Sequence, residues 1–420
     1  MKTVGIIAEY NPFHNGHLYH IRESRRLTGA GYVVVVMSGD FVQRGGPALA
    51  DKYTRTRMAL CGGADLVLEL PACFSCASAE YFAGGALALL DGLGVIDFLS
   101  FGSECGDASA LMECASILLK EPPVYRAALR KAQKEGMTFP AARKEALSAC
   151  LSSESSLSSK ILDSPNNILG AEYCRALLAN NSRIQPVTIP RKGSGYHNLQ
   201  LPSGAGDTAA FASASAVRNA LAVSDVFPDN LSSQLPDCSL SLLRKLYSAG
   251  RLVSEEDFSQ IIHYRLLQAS SPDDLMPFLD MTPDLARRIM NLLPEYTGYA
   301  EFLSLLKTKQ VTLTRVRRCL LHLLLDIRTS DIRRDGLTFE VPYARILGFK
   351  KSASPLLREI KTSGNLPLIT KVADAASQLH GHGLQMLQKD IRASEIYHCI
   401  CQAKSPGHIY NEYRISPVIV

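Results

Sequence analysis

The sequence predicts an α/β fold, a doubly wound parallel sheet followed by a mainly helical C-terminal domain. Short apolar runs alternate with helical patterns over the first ~110 residues, as in repeated βαβ units. Each predicted strand ends in a polar or glycine-rich turn, from Asn11-Pro12 to Gly102-Ser103. In a parallel sheet these turns share one edge, and ligands bind there. From Ser239 to Ile327 the periodicity is almost wholly helical.

The elements are predicted from apolar periodicity and from the residues that end each pattern. We predict strands from Val4 to the turn at Asn11, and at 33–37, 65–70, 95–101 and 184–189, and helices from Leu18 and at 52–61, 79–90, 166–179 and from Ser213. Prolines near residue 235 divide a domain at 1–235 from one at 236–420. We expect a serine-rich loop or polar helix at 151–159, a short helix at 390–402 and an edge strand at 415–420.

The composition is that of a globular protein, with 46% hydrophobic and 20% charged residues in 420. The start has no charged leader before an apolar segment, and no apolar run approaches ~20 residues, so we expect neither a secretory signal nor a membrane span. Eleven cysteines favour a reducing cytoplasm. Cys73 and Cys76 have the spacing of a zinc or redox site, but buried small hydrophobic residues are the favoured interpretation.

The first strand leads into His14-Asn15-Gly16-His17 and then into a helix. A helix N-terminus carries unpaired N–H groups and a partial positive charge, which suit phosphate. Two imidazoles on the turn before it can donate hydrogen bonds to phosphoryl oxygens, and Gly16 lets a ligand approach the backbone. The alternative is a pair of surface histidines in a polar loop. The strand before and the helix after favour a nucleotide site.

A second phosphate-type pattern lies at Ser213-Ala-Ser215-Ala-Val-Arg218, where a serine cap precedes an arginine by about one turn. The basic loop Arg191-Lys192-Gly193-Ser194-Gly195 could wrap a triphosphate from the other side. Alternatively, these are a plain helix cap and a solvated turn. Two such patterns suggest a nucleoside triphosphate held for attack at its α-phosphorus, a reaction that needs mainly positioning and electrostatics. Neither a Walker A sequence nor G-x-G-x-x-G after the first strand is found.

Positive charge is concentrated between Val311 and Lys371, which hold twelve Lys or Arg and five acidic residues. Such a segment is typical of a protein with a polyanionic partner. Its cations could instead pair with Asp326, Asp331 and Asp335 on solvated helix faces.

These motifs resemble the nucleotidylyltransferase superfamily, and most closely its tRNA(Met) cytidine acetate ligases. The stretches that carry the resemblance run through the whole chain: 5–17, 37–45 (Met-Ser-Gly-Asp-Phe-Val-Gln-Arg-Gly), 63–71, 78–83, 101–104, 165–170, 191–197 and 390–397. The resemblance implies an enzyme that activates acetate with ATP as acetyl-adenylate, releases diphosphate and acetylates N4 of the wobble cytidine of elongator tRNA(Met). On chemical grounds we expect ATP to bring Mg²⁺, although no ligand set is visible.

The same resemblance implies a set of site residues. The ATP site would be lined by Ile7, Ala8, Glu9, Tyr10, Asn11, Pro12, Phe13, His14, Asn15, Gly16, His17, Leu18, Tyr19 and His20, with His14 and His17 catalytic, and be completed by Gly102, Asn166 or Asn167, and Arg191. The second phosphate-type pattern described above adds Ser213, Ser215 and Arg218. The tRNA-binding residues would be Arg315, Arg317, Arg318, Lys350 and Lys351. We expect no membrane association, and the sequence implies no protein partner.

Two positions depart from the resemblance, since we expect Asn where Asp40 stands and an acidic residue where Gly46 stands. A carboxylate near a triphosphate is unfavourable without a metal or a basic partner. Two other functions remain open from the residues alone. One is an adenylyltransferase for a small phosphorylated metabolite, which needs no basic second domain. The other is a nucleotide-sensing RNA-binding protein, which would bind ATP without releasing diphosphate.

Overall fold

The computed structural model describes residues 1–151, 161–191, 211–407 and 409–420. The predicted serine-rich tract after Leu151 and the loop that follows Arg191, Lys192 included, lie outside these residues. Among the described residues, the strands are β1 Thr3–Ala8, β2 Tyr32–Ser38, β3 Phe41–Val42, β4 Gly46–Pro47, β5 Leu66–Leu70, β6 Phe98–Ser103, β7 Gln185–Pro190, β8 Arg334–Asp335, β9 Thr338–Phe339, β10 Ala344–Phe349, β11 Leu368–Ile369 and β12 Val418–Ile419.

The α-helices of the same residues follow the strands of the first half and dominate the second half. They are α1 Asn15–Thr28, α2 Lys52–Cys61, α3 Ala72–Ser75, α4 Ala79–Gly92, α5 Ala108–Lys120, α6 Pro123–Lys134, α7 Phe139–Ser148, α8 Pro165–Ala179, α9 Ala214–Ala222, α10 Asp237–Ser248, α11 Ser259–Leu267, α12 Pro283–Leu292, α13 Tyr299–Leu306, α14 Leu313–Leu325, α15 Ser354–Ser363 and α16 Gly381–Lys404.

The main sheet has the order β11-β10-β5-β2-β1-β6-β7, with β12 paired to β10. The strands from β5 to β7 in this order are parallel, as predicted. Alternate residues of β2 enter different apolar clusters, with Val34 and Val36 on one side and Val33 and Val35 on the other. Both faces of the sheet are therefore covered, which confirms the doubly wound α/β fold.

The sheet continues into the C-terminal part of the chain, which the sequence did not predict. β10 pairs antiparallel with β5, and β11 and β12 pair with β10. Of these three strands the sequence predicted only β12, as the edge strand at 415–420. The sheet thus includes residues on both sides of the boundary predicted near residue 235, and that boundary stays a prediction. The predicted short helix at 390–402 is part of α16, which is 24 residues long.

A buried ion cluster holds the C-terminal part against the first half. The Lys52 ammonium lies 2.8 Å from both Glu69 and Glu412, and the Arg345 guanidinium also pairs with both carboxylates. All four side chains are at most 4% exposed. Two cations and two anions balance, so each buried charge has a partner of opposite sign.

The hairpin of β3 and β4 contacts the helical part directly. Gly45, at its tip, has φ +81°, and a Cβ there would lie 2.4 Å from the backbone nitrogen of Arg318 in α14. Both the left-handed conformation and this close approach require glycine. The hairpin therefore places residues 43 and 44 between the sheet edge and α14.

The structure can also be compared with two expectations, one about membrane-spanning helices and one about the pair Cys73 and Cys76. Within the described ranges, no helix has the length and apolar character needed to cross a bilayer. Cys73 and Cys76 are buried, and burial raises the pKa of the Cys76 thiol to about 12. Burial also raises the pKa of Cys73 well above its usual value. Both therefore stay protonated thiols in an apolar setting, which is the favoured interpretation of this pair.

Candidate active site

A cavity of about 280 Å³ lies at the carboxyl ends of β1 and β6. The volume is close to the lower end of ordinary small-molecule sites (~300–1,000 Å³). The sheet order places β2 on one side of β1 and β6 on the other, so this is the point where the direction of winding changes. Ligands of open α/β sheets bind at such points. The cavity is therefore where the polar turns predicted a site.

His14 and His17 form a reciprocal cap at the start of α1. Nδ1 of His14 accepts a hydrogen bond from the Gly16 backbone N–H at 3.0 Å, and Nδ1 of His17 accepts from the His14 N–H at 3.2 Å. The two ring centroids are 3.8 Å apart. The prediction that the helix begins at Leu18 is wrong, because this cap starts it at Asn15. His17 thus belongs to the first helical turn.

The cap also determines which ring nitrogen carries the proton. A ring nitrogen that accepts from an N–H group has no proton, so in a neutral imidazole the proton is on Nε2. His14 and His17 both line the cavity. Each imidazole therefore has one Nε2–H donor left for a ligand, whereas the N–H groups in the first turn of α1 already donate to the Gln234 carbonyl and to His14.

The histidines of α1 are held in the neutral form. Burial lowers the pKa of His14 to about 3, and the positive charges of Arg191 and Arg218 contribute to the shift. Burial lowers the pKa of His20 to about 4 and that of His17 well below its usual value. Neutral Nε2–H groups can donate to phosphoryl oxygens without a prior protonation step.

Gly16 is required by the same cap. A Cβ at this position would lie 2.8 Å from Cε1 and 3.0 Å from Nδ1 of His14. Any larger residue would displace the ring that caps the helix. The glycine is thus explained by the His14 ring, a contact that the sequence did not reveal.

The second predicted phosphate pattern reaches the same cavity through α9. Ser213 caps this helix, with its Oγ accepting from the Ala216 N–H at 3.0 Å. Arg218 donates to the Asn11 carbonyl at 2.7 Å and to the Ser215 Oγ at 3.1 Å. The guanidinium thereby joins α9 to the turn that follows β1. Two helix N-termini, those of α1 and α9, face one cavity.

The ends of β6 and β7 complete the wall. Gly102 and Arg191 line it, and the Arg191 N–H donates to the Ser103 carbonyl at 3.1 Å. Asn166, at the start of α8, also lines the cavity and donates to the Glu104 carboxylate at 2.6 Å. Burial lowers the pKa of Arg191, and the Glu104 charge opposes this shift. The cation therefore lies in a partly desolvated wall.

The structure brings most of the predicted residues together. Those that line the cavity are Ile7, Ala8, Glu9, Tyr10, Asn11, His14, Gly16, His17, Tyr19, His20, Gly102, Asn166, Arg191, Ser213, Ser215 and Arg218.

Five predicted residues do not line the cavity and instead support it or lie beside it: Pro12, Phe13, Asn15, Leu18 and Asn167. Phe13 is fully buried and packs on Tyr10 with ring centroids 4.8 Å apart. The Asn15 amide donates to the Ser233 carbonyl at 2.9 Å. Asn167 accepts from the backbone N–H groups of Glu104 and Cys105, so of the Asn166–Asn167 pair it is Asn166 that faces the cavity.

The comparisons with known proteins agree with this geometry. A family model described as HIGH nucleotidyl transferase matches residues 1–411. The tRNA(Met) cytidine acetate ligase of Acetivibrio thermocellus is 39% identical over 94% of each chain. That of Caldanaerobacter subterraneus is 42% identical over 94% of this chain and 95% of its own. The Clostridium perfringens ligase is 36% identical over the full length of both chains. The chain belongs to this ligase family.

Solved structures of one relative from this family share the whole architecture. Thermotoga maritima TmcAL bound with alpha-thio ATP matches with a TM-score of 0.89 at 30% identity, over 100% of this chain and 99% of that chain. Its apo form matches with a TM-score of 0.90 over the full length of both. The Thermotoga protein thus binds an ATP analogue on the same fold.

Sequence reasoning missed two parts of the cavity wall. An aromatic wall comes from Phe82 of α4, Phe101 of β6 and Tyr173 of α8. Gln43 and Arg44 come from the hairpin of β3 and β4. The stretch 37–45 contributed to the family resemblance, so a signal for Arg44 was present, but two-residue strands leave no periodic pattern. In the sequence, the aromatic residues have the pattern of ordinary core residues.

The two departures from the family resemblance, Asp40 and Gly46, have structural explanations. Asp40 does not line the cavity, since its Oδ1 accepts from the Lys52 backbone N–H at 2.7 Å. The predicted conflict between this carboxylate and a triphosphate is therefore absent. A Cβ at Gly46 would lie 2.9 Å from Oε1 of Glu255. The carboxylate of Glu255 thus occupies the space beside Gly46.

The predicted tRNA-binding residues differ in how they are placed. Arg315 donates to the Asp280 carbonyl, and Arg318 pairs with the Asp280 carboxylate at 2.7 Å. These two guanidinium groups therefore hold the loop that contains Asp280. Arg317 pairs with Glu255 at 3.1 Å, and its charge contributes to lowering the pKa of Arg218. Arg317 is thus close to the cavity.

Lys350 and Lys351 lie at the other edge of the sheet. They follow β10, whose end pairs with the start of β5, and Lys350 lies 3.8 Å from Asp65. The cavity is at the carboxyl end of β1, parallel to β5, so the sheet separates these lysines from it. Any contact they make with RNA is remote from the cavity.

Proposed function

We propose that this chain uses ATP to activate acetate as acetyl-adenylate and then acetylates N4 of the wobble cytidine of elongator tRNA(Met). The observation that carries the proposal is the convergence of two helix N-termini, two neutral imidazole donors and Arg218 on one cavity. The names of its full-length relatives indicate that a cytidine of tRNA(Met) accepts the acetyl group. An ATP site at the residues that line this cavity, with His14 and His17 as catalytic groups, is part of the proposal.

The first step joins acetate to the nucleotide. An acetate oxygen attacks the α-phosphorus, the bond to the bridging oxygen breaks, and diphosphate leaves. Negative charge grows on the departing and non-bridging oxygens. Nε2–H groups of His14 and His17 and the N–H groups at the start of α9 stabilise that charge, because they are fixed before the reaction begins. These residues therefore do not have to form a covalent bond to the substrate.

The second step transfers the acetyl group. The N4 amine attacks the acetyl carbonyl carbon, the bond to the phosphate oxygen breaks, and AMP leaves while the amine loses a proton. An anticodon loop presents its bases single-stranded, so unstacking one of them costs little free energy. In the proposal, Arg317, which pairs with Glu255 near the cavity, contacts an adjoining RNA phosphate.

We expect Mg²⁺ to enter with ATP. The described residues contain no group of three or more His, Cys, Asp or Glu side chains that could hold a metal ion. Mg²⁺ in nucleotide sites keeps several waters and binds phosphate oxygens.

The test is diphosphate release from ATP, with acetate present or omitted and with tRNA(Met) present or omitted. We expect release that depends on acetate, and labelled acetyl on the tRNA. Release that requires a different acid or a phosphorylated metabolite would keep the nucleotide site and discard acetate as the substrate. ATP binding without release under any condition would favour a nucleotide-sensing protein.

A further inference from the structure

Two cysteines outside the cavity contact each other at the surface of the protein. Cys61 is the last residue of α2 and is exposed, and Cys238 is the second residue of α10 and is half-buried. The two helices pack together, and the side chains of Cys61 and Cys238 are hydrogen-bonded to each other. Neither residue belongs to a Cys-x-x-Cys pattern, so no sequence spacing marks this pair.

Access to solvent distinguishes this pair from other neighbouring cysteines of the described residues. Cys73 and Cys76 are buried. Cys114 and Cys174 are buried as well, and burial raises the pKa of Cys174 to about 12, with the nearby Cys114 contributing. A reaction with a dissolved disulfide requires a sulfur that the reagent can reach. Cys61 combines such access with a second thiol beside it.

The two thiols are suited to different steps of disulfide formation. Burial raises the pKa of Cys238 to about 12, the hydrogen bond with Cys61 contributes, and the positive charge of Arg57 opposes the shift. Cys238 therefore keeps its proton at neutral pH and donates its S–H to the Cys61 sulfur. When Cys61 is bonded to another sulfur, this hydrogen bond is lost, and Cys238 loses its proton more easily. Cys61 is thus placed to attack first and Cys238 to attack second.

A bond between these cysteines would connect two elements that support the cavity. α2 carries Arg55, which is fully buried and donates to the Glu9 carbonyl at 2.8 Å. α10 follows Gln234, whose carbonyl accepts from the Asn15 N–H at 3.0 Å and whose Oε1 accepts from the Ala212 N–H at 2.9 Å. The segment before α10 therefore holds the start of α1 and the residues that precede α9.

We propose that Cys61 and Cys238 form a reversible disulfide with a low-molecular-weight disulfide as the oxidant, and that this bond fixes the start of α10 to the end of α2. The proposal goes beyond the proposed function and does not depend on it. First, the Cys61 thiolate attacks one sulfur of the reagent, and one thiolate leaves and takes up a proton. Then Cys238 loses its proton and attacks the Cys61 sulfur, and the second thiol leaves. The two cysteines are oxidised, and the reagent is reduced to two thiols.

The test uses the full-length protein under native conditions. The protein is incubated with glutathione disulfide, the remaining thiols are blocked with N-ethylmaleimide, and chymotryptic peptides are analysed by mass spectrometry with and without a reductant. We expect two peptides joined through Cys61 and Cys238 that separate on reduction. Cys399→Ser removes an exposed cysteine of α16 instead and should leave this cross-link unchanged.

Two physical measurements show whether the bond fixes the two helices. The oxidised protein is expected to melt about 5 °C higher than the reduced protein, because a bond that closes a long loop restricts the unfolded chain. This difference should vanish in Cys61→Ser and in Cys238→Ser, neither of which can form the bond. Hydrogen–deuterium exchange at the amides of Asn15 and Ala212 should be slower in the oxidised protein.

Retention of both free thiols, or Cys61 found only as a mixed disulfide with glutathione, would overturn the proposal, since Cys238 would then not resolve it. A cross-link that includes the buried Cys73 or Cys76 would show that an unfolded chain had reacted and would overturn it too. If the bond forms but neither the melting temperature nor the amide exchange changes, the bond does not fix the two helices, and that part of the proposal is wrong.

Discussion

At the scale of single residues, His14 and His17 do two tasks with two different nitrogens. Nδ1 of each ring caps α1, and this leaves Nε2–H as a donor in the cavity wall. The structural task fixes the tautomer that the proposed chemical task requires. A substitution that removes the whole ring therefore confuses a loss of helix stability with a loss of activity.

Asparagine separates these tasks at position 17. His17→Asn keeps an acceptor near the Nδ1 position but has no group at Nε2, whereas His17→Ala lacks both. We expect both variants to lose about 10²–10³-fold in acetate-dependent diphosphate exchange. His17→Ala should also lose about 1 kcal/mol of unfolding free energy, the usual cost of a cap. Exchange and urea unfolding measure the two effects.

Near-normal exchange in His17→Asn would remove Nε2 of this residue from the proposed mechanism. Equal stability of the two variants would show that the cap contributes little.

At the scale of elements, α1 connects the sheet to the ligand cavity and carries a glycine at each end. Gly16 lies against the His14 ring, as described above. Gly29 ends the helix with φ +64°, and nothing lies within 4 Å of a Cβ built there. The first glycine is required by contact and the second by backbone conformation.

The two glycines make a matched pair of variants. Gly16→Ala is expected to lower diphosphate exchange at least tenfold, because the new Cβ displaces the His14 ring, which donates to phosphate in the proposed mechanism. Gly29→Ala should cost about 1–2 kcal/mol of stability for its left-handed conformation and leave exchange unchanged. Exchange rates and urea unfolding of both proteins provide the measurement. Equal effects on exchange would contradict a specific role of the first turn.

At the scale of the whole molecule, two of the contacts between distant parts of the chain can be tested separately. The cluster of Lys52, Glu69, Arg345 and Glu412 fixes the C-terminal strands to the sheet, and Gly45 packs on the backbone of α14. The helical part is thereby attached beside the cavity. The two contacts give separate predictions, one for stability and one for RNA binding.

Removing one member of the ion cluster should leave a buried charge without its partner. Glu412→Ala is expected to lower the free energy of unfolding by about 3–5 kcal/mol. Glu395→Ala, an exposed position on α16, should change it by at most about 0.5 kcal/mol. Urea unfolding of both variants measures the difference. A small effect at Glu412 would show that the cluster relaxes or hydrates readily.

Arg317 is the predicted tRNA-binding residue whose position fits an RNA that enters the cavity. Arg317→Gln should weaken tRNA binding and reduce the slope of log affinity against log salt by about 0.7–0.9, the value for one phosphate contact. The double variant with Glu255→Gln controls for the unpaired carboxylate left behind. Arg130→Gln, an exposed position on α6, makes the same charge change elsewhere. An equal slope change at Arg130 would show that binding is diffuse.

The sequence by itself determined the parallel βα units, the His14–His17 motif at a strand–helix junction and the family. These follow from short-range patterns, because strand periodicity, helix caps and phosphate-binding turns are set by residues close in the chain. The tertiary structure alone decided that β10 to β12 join the first sheet, that Arg44 and the aromatic wall line the cavity, and that Asp280 engages Arg315 and Arg318. Each of these depends on residues far apart in the chain, and local periodicity holds no information about which distant side chain neutralises a charge or covers an apolar face.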